Sequence, residues 1–348
     1  MSAHTLVAPN LRASGRILGS MARAARTRRA LWVHAGTSVA MFLAGSGRAK
    51  ACSLCGCGDP LLAASDPAAI TGKLRLQIDT EYIRVDAGTE NQPGFTDQLT
   101  QWAYHFNAVY RPISRLSLMA VLPILDKSIR TEGPNIDQSD SNLAGLGDFE
   151  LLGRYAVWRR LSLVDRRVQE VAFSLGSALP TGSNDAKTRD ATGTVVPVDP
   201  HGQLGTGGFG PLVGLHYRFE QADWLAFADV SYRFRTQGSY FDGSKYKFGD
   251  AALWSLHGQY RVLVPLAVDL GIDGRYAFAD RSTDPNGVAD DSVVNTGGTV
   301  ISAAPGIYCN AVGSLWLFAR AQIPVYQHLH GQQDVKASFA MGLQYQVL

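Results

Sequence analysis

The chain has 348 residues, of which 46% are hydrophobic and 18% charged, with 32 Lys and Arg against 30 Asp and Glu. That balance excludes a bundle of membrane-spanning helices, which needs repeated apolar runs of about 20 residues, and it offers no basic face for nucleic acid. A soluble β protein and a membrane barrel with a polar interior both fit.

Residues 1–51 read as a secretory signal peptide. Arg23, Arg26, Arg28 and Arg29 precede an apolar stretch over 30–45, and Ala49-Lys50-Ala51 supplies a small-x-small cleavage site. The leader is long, and Met21 is a second candidate start. The leader carries eight of the basic residues and no acidic ones, so processing leaves 24 basic against 30 acidic residues, a formal charge of −6. Residues 52–70 then form an exported, Cys-containing periplasmic segment. Cys52, Cys55 and Cys57 crowd three thiols into six residues, a spacing open to three readings: a disulfide in an oxidising compartment, a soft metal ion, or lipid attachment at Cys52. There is no Cys-x-x-Cys-His for haem, and no resident cofactor is expected.

From 71 to 348 the sequence predicts one all-β domain, a transmembrane antiparallel barrel of twelve strands. The strands fall at about 72–86, 99–111, 114–125, 146–158, 167–179, 205–219, 223–236, 247–262, 264–279, 293–308, 315–326 and 334–347. The pair over 253–278 is the clearest. Ser255, His257, Gln259 and Arg261 alternate with Trp254, Leu256, Tyr260 and Val262, and Val264, Leu266, Val268, Leu270 and Ile272 then alternate with Asp269, Asp273 and Arg275. A period of two with one oily and one wet side describes a strand between lipid and water, and the turn between the two runs is too short for a crossover. Five short connections interleave with six longer polar ones, as short periplasmic turns interleave with extracellular loops in outer-membrane barrels. Closure follows from energetics, because an open edge in hydrocarbon would strand backbone groups at several kcal/mol each.

With the apolar parity outward, the inward candidates for a lumen are Arg75, Asp79, His105, Arg111, Glu150, Arg154, Asp229, Arg233, His257, Arg261, Asp269, Asp273 and Arg275. Their mixed signs suit a water-filled constriction or ligand path. His201, His328 and His330 fall in the expected external loops, where a surface metal site is an alternative. No phosphate-binding loop and no Ser-centred elbow is present, so no catalytic residue is assigned.

Val121-Leu122-Pro123, Gly145-Leu146-Gly147-Asp148, Leu179-Pro180-Thr181-Gly182, Leu204-Gly205-Thr206-Gly207-Gly208 and Gln322-Ile323-Pro324-Val325-Tyr326 resemble the recurring marks of an outer-membrane channel family labelled with the meta-pathway of phenol degradation. The resemblance covers about residues 70–348. It implies a Gram-negative outer-membrane barrel for uptake of small, aromatic or hydrophobic compounds. The chain ends in Val347-Leu348 where many such barrels end in an aromatic residue, and the cysteine segment lies outside the resemblance. The function expected is a passive porin-like channel or facilitator in the cell outer membrane. Its expected partners are outer-membrane lipid, a small solute, the barrel assembly machinery and a periplasmic partner at the N-terminal segment, with no nucleic acid. A non-transport scaffold, or a redox- or metal-associated barrel using the cysteines, is the alternative, and an outer-membrane enzyme is the second.

Overall fold

The computed structural model describes residues 73–88, 96–133, 136–189, 195–240, 242–290, 293 and 296–347. The leader and the segment with Cys52, Cys55 and Cys57 lie outside the described residues. Twelve strands form the wall: β1 Leu74–Gly88, β2 Thr96–Ile113, β3 Leu116–Gly133, β4 Phe149–Ser162, β5 Arg167–Leu179, β6 Gly210–Gln221, β7 Trp224–Arg233, β8 Ala251–Leu263, β9 Leu266–Ala277, β10 Gly298–Val312, β11 Leu315–Leu329 and β12 Ser338–Val347. Each pairs antiparallel with its neighbour, and β12 pairs with β1 from Leu74↔Val347 to Tyr82↔Phe339. The sheet is therefore a closed transmembrane-type barrel with no free edge.

Two short strands extend the wall at the end where the long loops emerge. Ile136–Leu146 pairs with the far half of β3, and Gln333–Val335 pairs with the end of β1. Above them, Gly238–Ser239, Lys245–Lys247, Arg281–Thr283 and Ala289–Asp290 make a small separate sheet. The two ends of the barrel will be called the loop end and the turn end; both the start of β1 and the end of β12 lie at the turn end.

Alternation in the sequence becomes alternation in burial. On β8, Leu253, Ser255, His257 and Gln259 are buried, while Leu256 and Tyr260 face out. The outer face is a continuous apolar surface that includes Leu76, Ile78, Phe106, Leu215, Leu256, Leu270, Ile272, Phe339 and Leu343. In water this surface would drive association; against acyl chains it costs nothing. Aromatic rings gather toward its two margins. Trp224 stacks near Tyr260 with centroids 4.6 Å apart toward the turn end; toward the loop end Tyr82 meets Trp102 at 4.9 Å and Tyr276 meets Phe278 at 5.0 Å. Trp102 and Tyr110 are eight residues apart on β2, about 27 Å along the strand and about 21 Å along the normal at a tilt of about 40°. With apolar positions beyond both, the band matches the hydrocarbon height of about 25 Å.

All twelve expected strands are found, but several ends move. β3 runs to Gly133 instead of 125, because Leu125, Lys127 and Ile129 continue the inward parity beyond the polar Asp126-Lys127 pair. β6, β8 and β10 begin four or five residues later than expected, since their Gly- and Asp-rich lead-ins fold as loops. β7 stops at Arg233; two residues on, the Arg235 N–H donates to the Asp250 carboxylate instead of a strand partner.

Inside, the wall has two zones. Toward the turn end the inward residues are polar and charged. Toward the loop end Ile83, Val85, Leu99, Ile129, Ala251, Ala277 and Val300 form a buried apolar cluster, with Leu329 and Val335 packed against it. The sequence reading had assigned only a charged interior.

Candidate functional site in the lumen and its mouth

The polar zone is built by cross-strand register. Asp79 on β1 lies opposite His105 on β2. Its carboxylate meets His105 Nδ1 at 2.8 Å and accepts hydrogen bonds from Gln77 at 2.9 Å and Asn107 at 2.7 Å. Asp229 on β7 lies opposite His216 on β6, contacts its Nδ1 at 2.8 Å and pairs with Arg154 at 3.6 Å. His257 on β8 bridges two carboxylates of β9, Asp269 at 2.7 Å and Asp273 at 2.9 Å, and Gln322 of β11 donates to Asp273 at 2.8 Å. Phe227 stacks flat on the His257 ring, 4.7 Å away. The residue opposite His257 is Gly271, where a Cβ would fall 2.2 Å from Nδ1, so only glycine leaves room for the ring. Arg233 forms a two-pronged pair with Glu150 at 2.7 and 3.1 Å. Such bidentate pairs fix both side chains in a low-dielectric wall.

The mouth is covered by part of the long β5–β6 connection. Residues 198–206 turn inward and pack on the wall, with Gly202 against Ile129 and Val198. Four groups of contacts hold them. Lys127 Nζ donates to the carbonyls of His201 at 3.0 Å and Gln203 at 2.6 Å. The Gln203 amide bonds the Ala186 N–H and the carbonyls of Ala186 and Val198. His201, 2% exposed, sits between Asp199 at 3.1 Å and Asp280 at 2.9 Å, and Tyr246 donates to the same Asp280 oxygen at 2.6 Å. Burial alone would lower the His201 pKa, but the two carboxylates outweigh it and hold the imidazole well above its ordinary range. Burial, reinforced by Asp280, pushes the Tyr246 phenol well up, so it stays a donor.

The fourth group explains three of the motifs singled out in the sequence. Asp148 of Gly145–Asp148 accepts from the Gly182 N–H at 3.0 Å, the Thr206 N–H at 2.9 Å and the Thr206 hydroxyl at 2.6 Å. Thr181 bridges the Gly147 carbonyl and the Phe149 N–H. Gly182 and Gly205 touch backbone to backbone, and a Cβ on Gly205 would fall 2.2 Å from the Gly182 oxygen. The two ends of the connection are thus tied to the start of β4 by one carboxylate. Between this segment and the wall lies a crevice enclosing ≈ 420 Å³ of empty space, part of it open to solvent, lined by Leu125, Lys127, Glu150, Leu204, Arg235 and Phe248 among others. Tyr240, Tyr246 and Phe248 form an aromatic cluster beside it.

Of the residues expected in the lumen, Arg75, Asp79, His105, Arg233, His257, Asp269 and Asp273 are buried inside the wall, and Arg111, Glu150, Arg154, Asp229 and Arg275 are half-buried. Arg261 departs from the expectation. Its guanidinium is half exposed, 4.0 Å from Asp223, because Arg261 is among the last residues of β8, at the rim of the turn end. His201 is enclosed by carboxylates, and His330 contacts the Thr296 carbonyl at 3.1 Å; among the described residues no cluster of three His, Cys, Asp or Glu is arranged to hold a metal. Lys127, Gln203 and Asp280 escaped the sequence reading because they fall in segments read as loop. His216 was readable from parity, two residues from the Arg218 that shares its face.

No protein-family model matches the chain, and a comparison with curated proteins also finds no match. Solved structures do match in fold. An outer membrane channel from Pseudomonas putida F1 is 12% identical, with a TM-score of 0.58 over 80% of this chain and 98% of that one. The transport unit of the autotransporter AIDA-I from Escherichia coli is 7% identical, with a TM-score of 0.50 over 81% of this chain and 93% of that one. The shared property is the closed antiparallel β-barrel.

Proposed function

We propose that the chain is a passive outer-membrane channel for small, largely apolar solutes, aromatic ones included. The observation that carries this reading is the apolar collar formed by Ile83, Val85, Leu99, Ile129 and Val300 inside the loop end, beside the aromatic cluster of Tyr240, Tyr246 and Phe248. A pore for ions and sugars has no use for an oily collar at its entrance, whereas a solute with little hydration to lose partitions into one. The segment 198–206 covers this entrance and sets the size admitted. Likeness in fold to a protein named an outer membrane channel supports the reading, and the motifs around Asp148, Gly182 and Thr206 support membership of the channel family labelled with the meta-pathway of phenol degradation. Assembly by the outer-membrane insertion machinery, a processed leader and a periplasmic role for Cys52, Cys55 and Cys57 belong to the same proposal.

The contacts of the lumen histidines run to carboxylates, which braces the wall and supplies no nucleophile. We therefore read no chemical step into the lumen. Planar-bilayer recording and lipase and protease assays on one refolded sample test this. Current without turnover is expected; turnover without current overturns the proposal.

A further inference from the structure

At the turn end, the β2–β3 and β4–β5 turns carry exposed arginines that are not ion-paired among the described residues. The β2–β3 turn and the β4–β5 turn abut: Arg159 Nη1 donates to the Ser114 carbonyl at 3.1 Å, and the Ala156 N–H donates to the Arg115 carbonyl at 2.7 Å. Arg115, Arg160 and Arg166 project from this double hairpin. All three are exposed, and none makes an ion pair among the described residues. The nearby carboxylates are taken, Asp165 by Arg167 at 3.2 Å and Glu170 by Arg159 at 3.5 Å. On the neighbouring rim, by contrast, Arg261 faces Asp223.

The same two turns expose apolar tips. Leu163 is 82% and Val164 94% exposed, and Ile113 and Leu161 are more than half exposed. Ile113 stands opposite Leu116, which shares the outward parity of Leu118, and Leu163 and Val164 form the tip of the β4–β5 turn. Apolar tips in the boundary with unpaired guanidinia beside them form the pattern of a surface lying among lipid headgroups: the tips enter the acyl region and the planar forks meet phosphate oxygens two at a time. An acidic protein would leave the exposed apolar tips unexplained.

We propose that the β2–β3 and β4–β5 turns bind the phosphodiester headgroup of an anionic phospholipid in the leaflet at the turn end, through Arg115, Arg160 and Arg166. The site anchors the barrel's depth and rotation in the bilayer. It rests on the barrel spanning a membrane and is independent of what passes through the lumen.

Native mass spectrometry of the full mature chain in detergent tests it, with added phosphatidylglycerol and phosphatidylcholine of identical acyl chains. The wild type is expected to retain phosphatidylglycerol at least about tenfold over phosphatidylcholine, a preference lost in the triple variant Arg115→Gln, Arg160→Gln, Arg166→Gln and kept in Arg261→Gln. Heat-modifiable mobility on a gel checks that each variant is folded. If the triple variant does not fold, Arg166→Gln alone and the fall of the wild-type preference with added salt give the answer. Equal retention of the two lipids, equal loss in Arg261→Gln, or full displacement by inorganic phosphate overturns the assignment, the last by showing a site for free phosphate.

Discussion

Replacing Lys127 with Met takes away the ammonium that holds residues 198–206 against the wall while keeping most of the side-chain volume. Lys127 donates to the His201 and Gln203 carbonyls. A hydrogen bond from a charged donor contributes about 1.5–3 kcal/mol, so two contribute about 3–6 kcal/mol. The freed carbonyls regain water when the segment lifts, which favours the low end, and about 3 kcal/mol shifts the covered-to-open ratio by about two orders of magnitude. The Asp148 tie should survive, so the segment is expected to swing out without the barrel unfolding. In planar bilayers Lys127→Met should give longer and larger openings than the wild type, and protease should cut near residues 198–206 while the heat-modifiable barrel persists. Wild-type conductance together with wild-type protection would refute the assignment of Lys127 as the anchor of the cover.

Three further predictions follow the same contacts. Because the folded His201 pKa is raised, its contribution to closing the mouth is complete below the unfolded value of about 6.5 and is lost as pH rises through the folded value, which lies well above that; open probability should rise on the alkaline side, and His201→Gln should flatten that profile. An unchanged profile in the variant would remove His201 from the latch. Gly205→Ala forces a Cβ into the Gly182 carbonyl and should lower the thermal midpoint of the β5–β6 connection, read by hydrogen exchange at Thr206, with little change in exchange along β9. Leu270→Arg places a charge on the outer face near mid-membrane and should destabilise the folded barrel in vesicles by about 2–4 kcal/mol; a denaturant midpoint equal to the wild type would mean that this face does not meet lipid.

The wall was legible because a period of two is enforced independently at every position of a two-sided strand. Ser255, His257 and Gln259 read as inward one by one, and the closing pair of β1 with β12 followed from the cost of an open edge. Partnerships were less legible. Parity says that His257, Asp269 and Asp273 share a face, but only register puts the ring between the two carboxylates, and only Gly271 opposite it makes the space. The cover was illegible. Residues 198–206 show no periodicity, and their hold depends on Lys127, Asp148 and Asp280, which lie 71, 50 and 82 positions from residue 198. The motifs around Gly147, Gly182 and Gly205 read as separate turns, and nothing in any one of them announces that a single carboxylate joins all three. The apolar collar was missed for a different reason: Val85 and Leu99 sit at strand ends, where a polar lumen was assumed to continue, and Ile129 fell in a stretch read as loop.

Flux into vesicles carrying the refolded, processed chain tests the account most directly, with a one-ring neutral aromatic, a charged aromatic acid and a disaccharide compared at equal gradients and corrected for empty vesicles. The account predicts that protein-dependent entry is fastest for the neutral aromatic and slowest for the disaccharide, with Lys127→Met narrowing the gap. Entry of all three at the empty-vesicle rate through correctly folded barrels would contradict it.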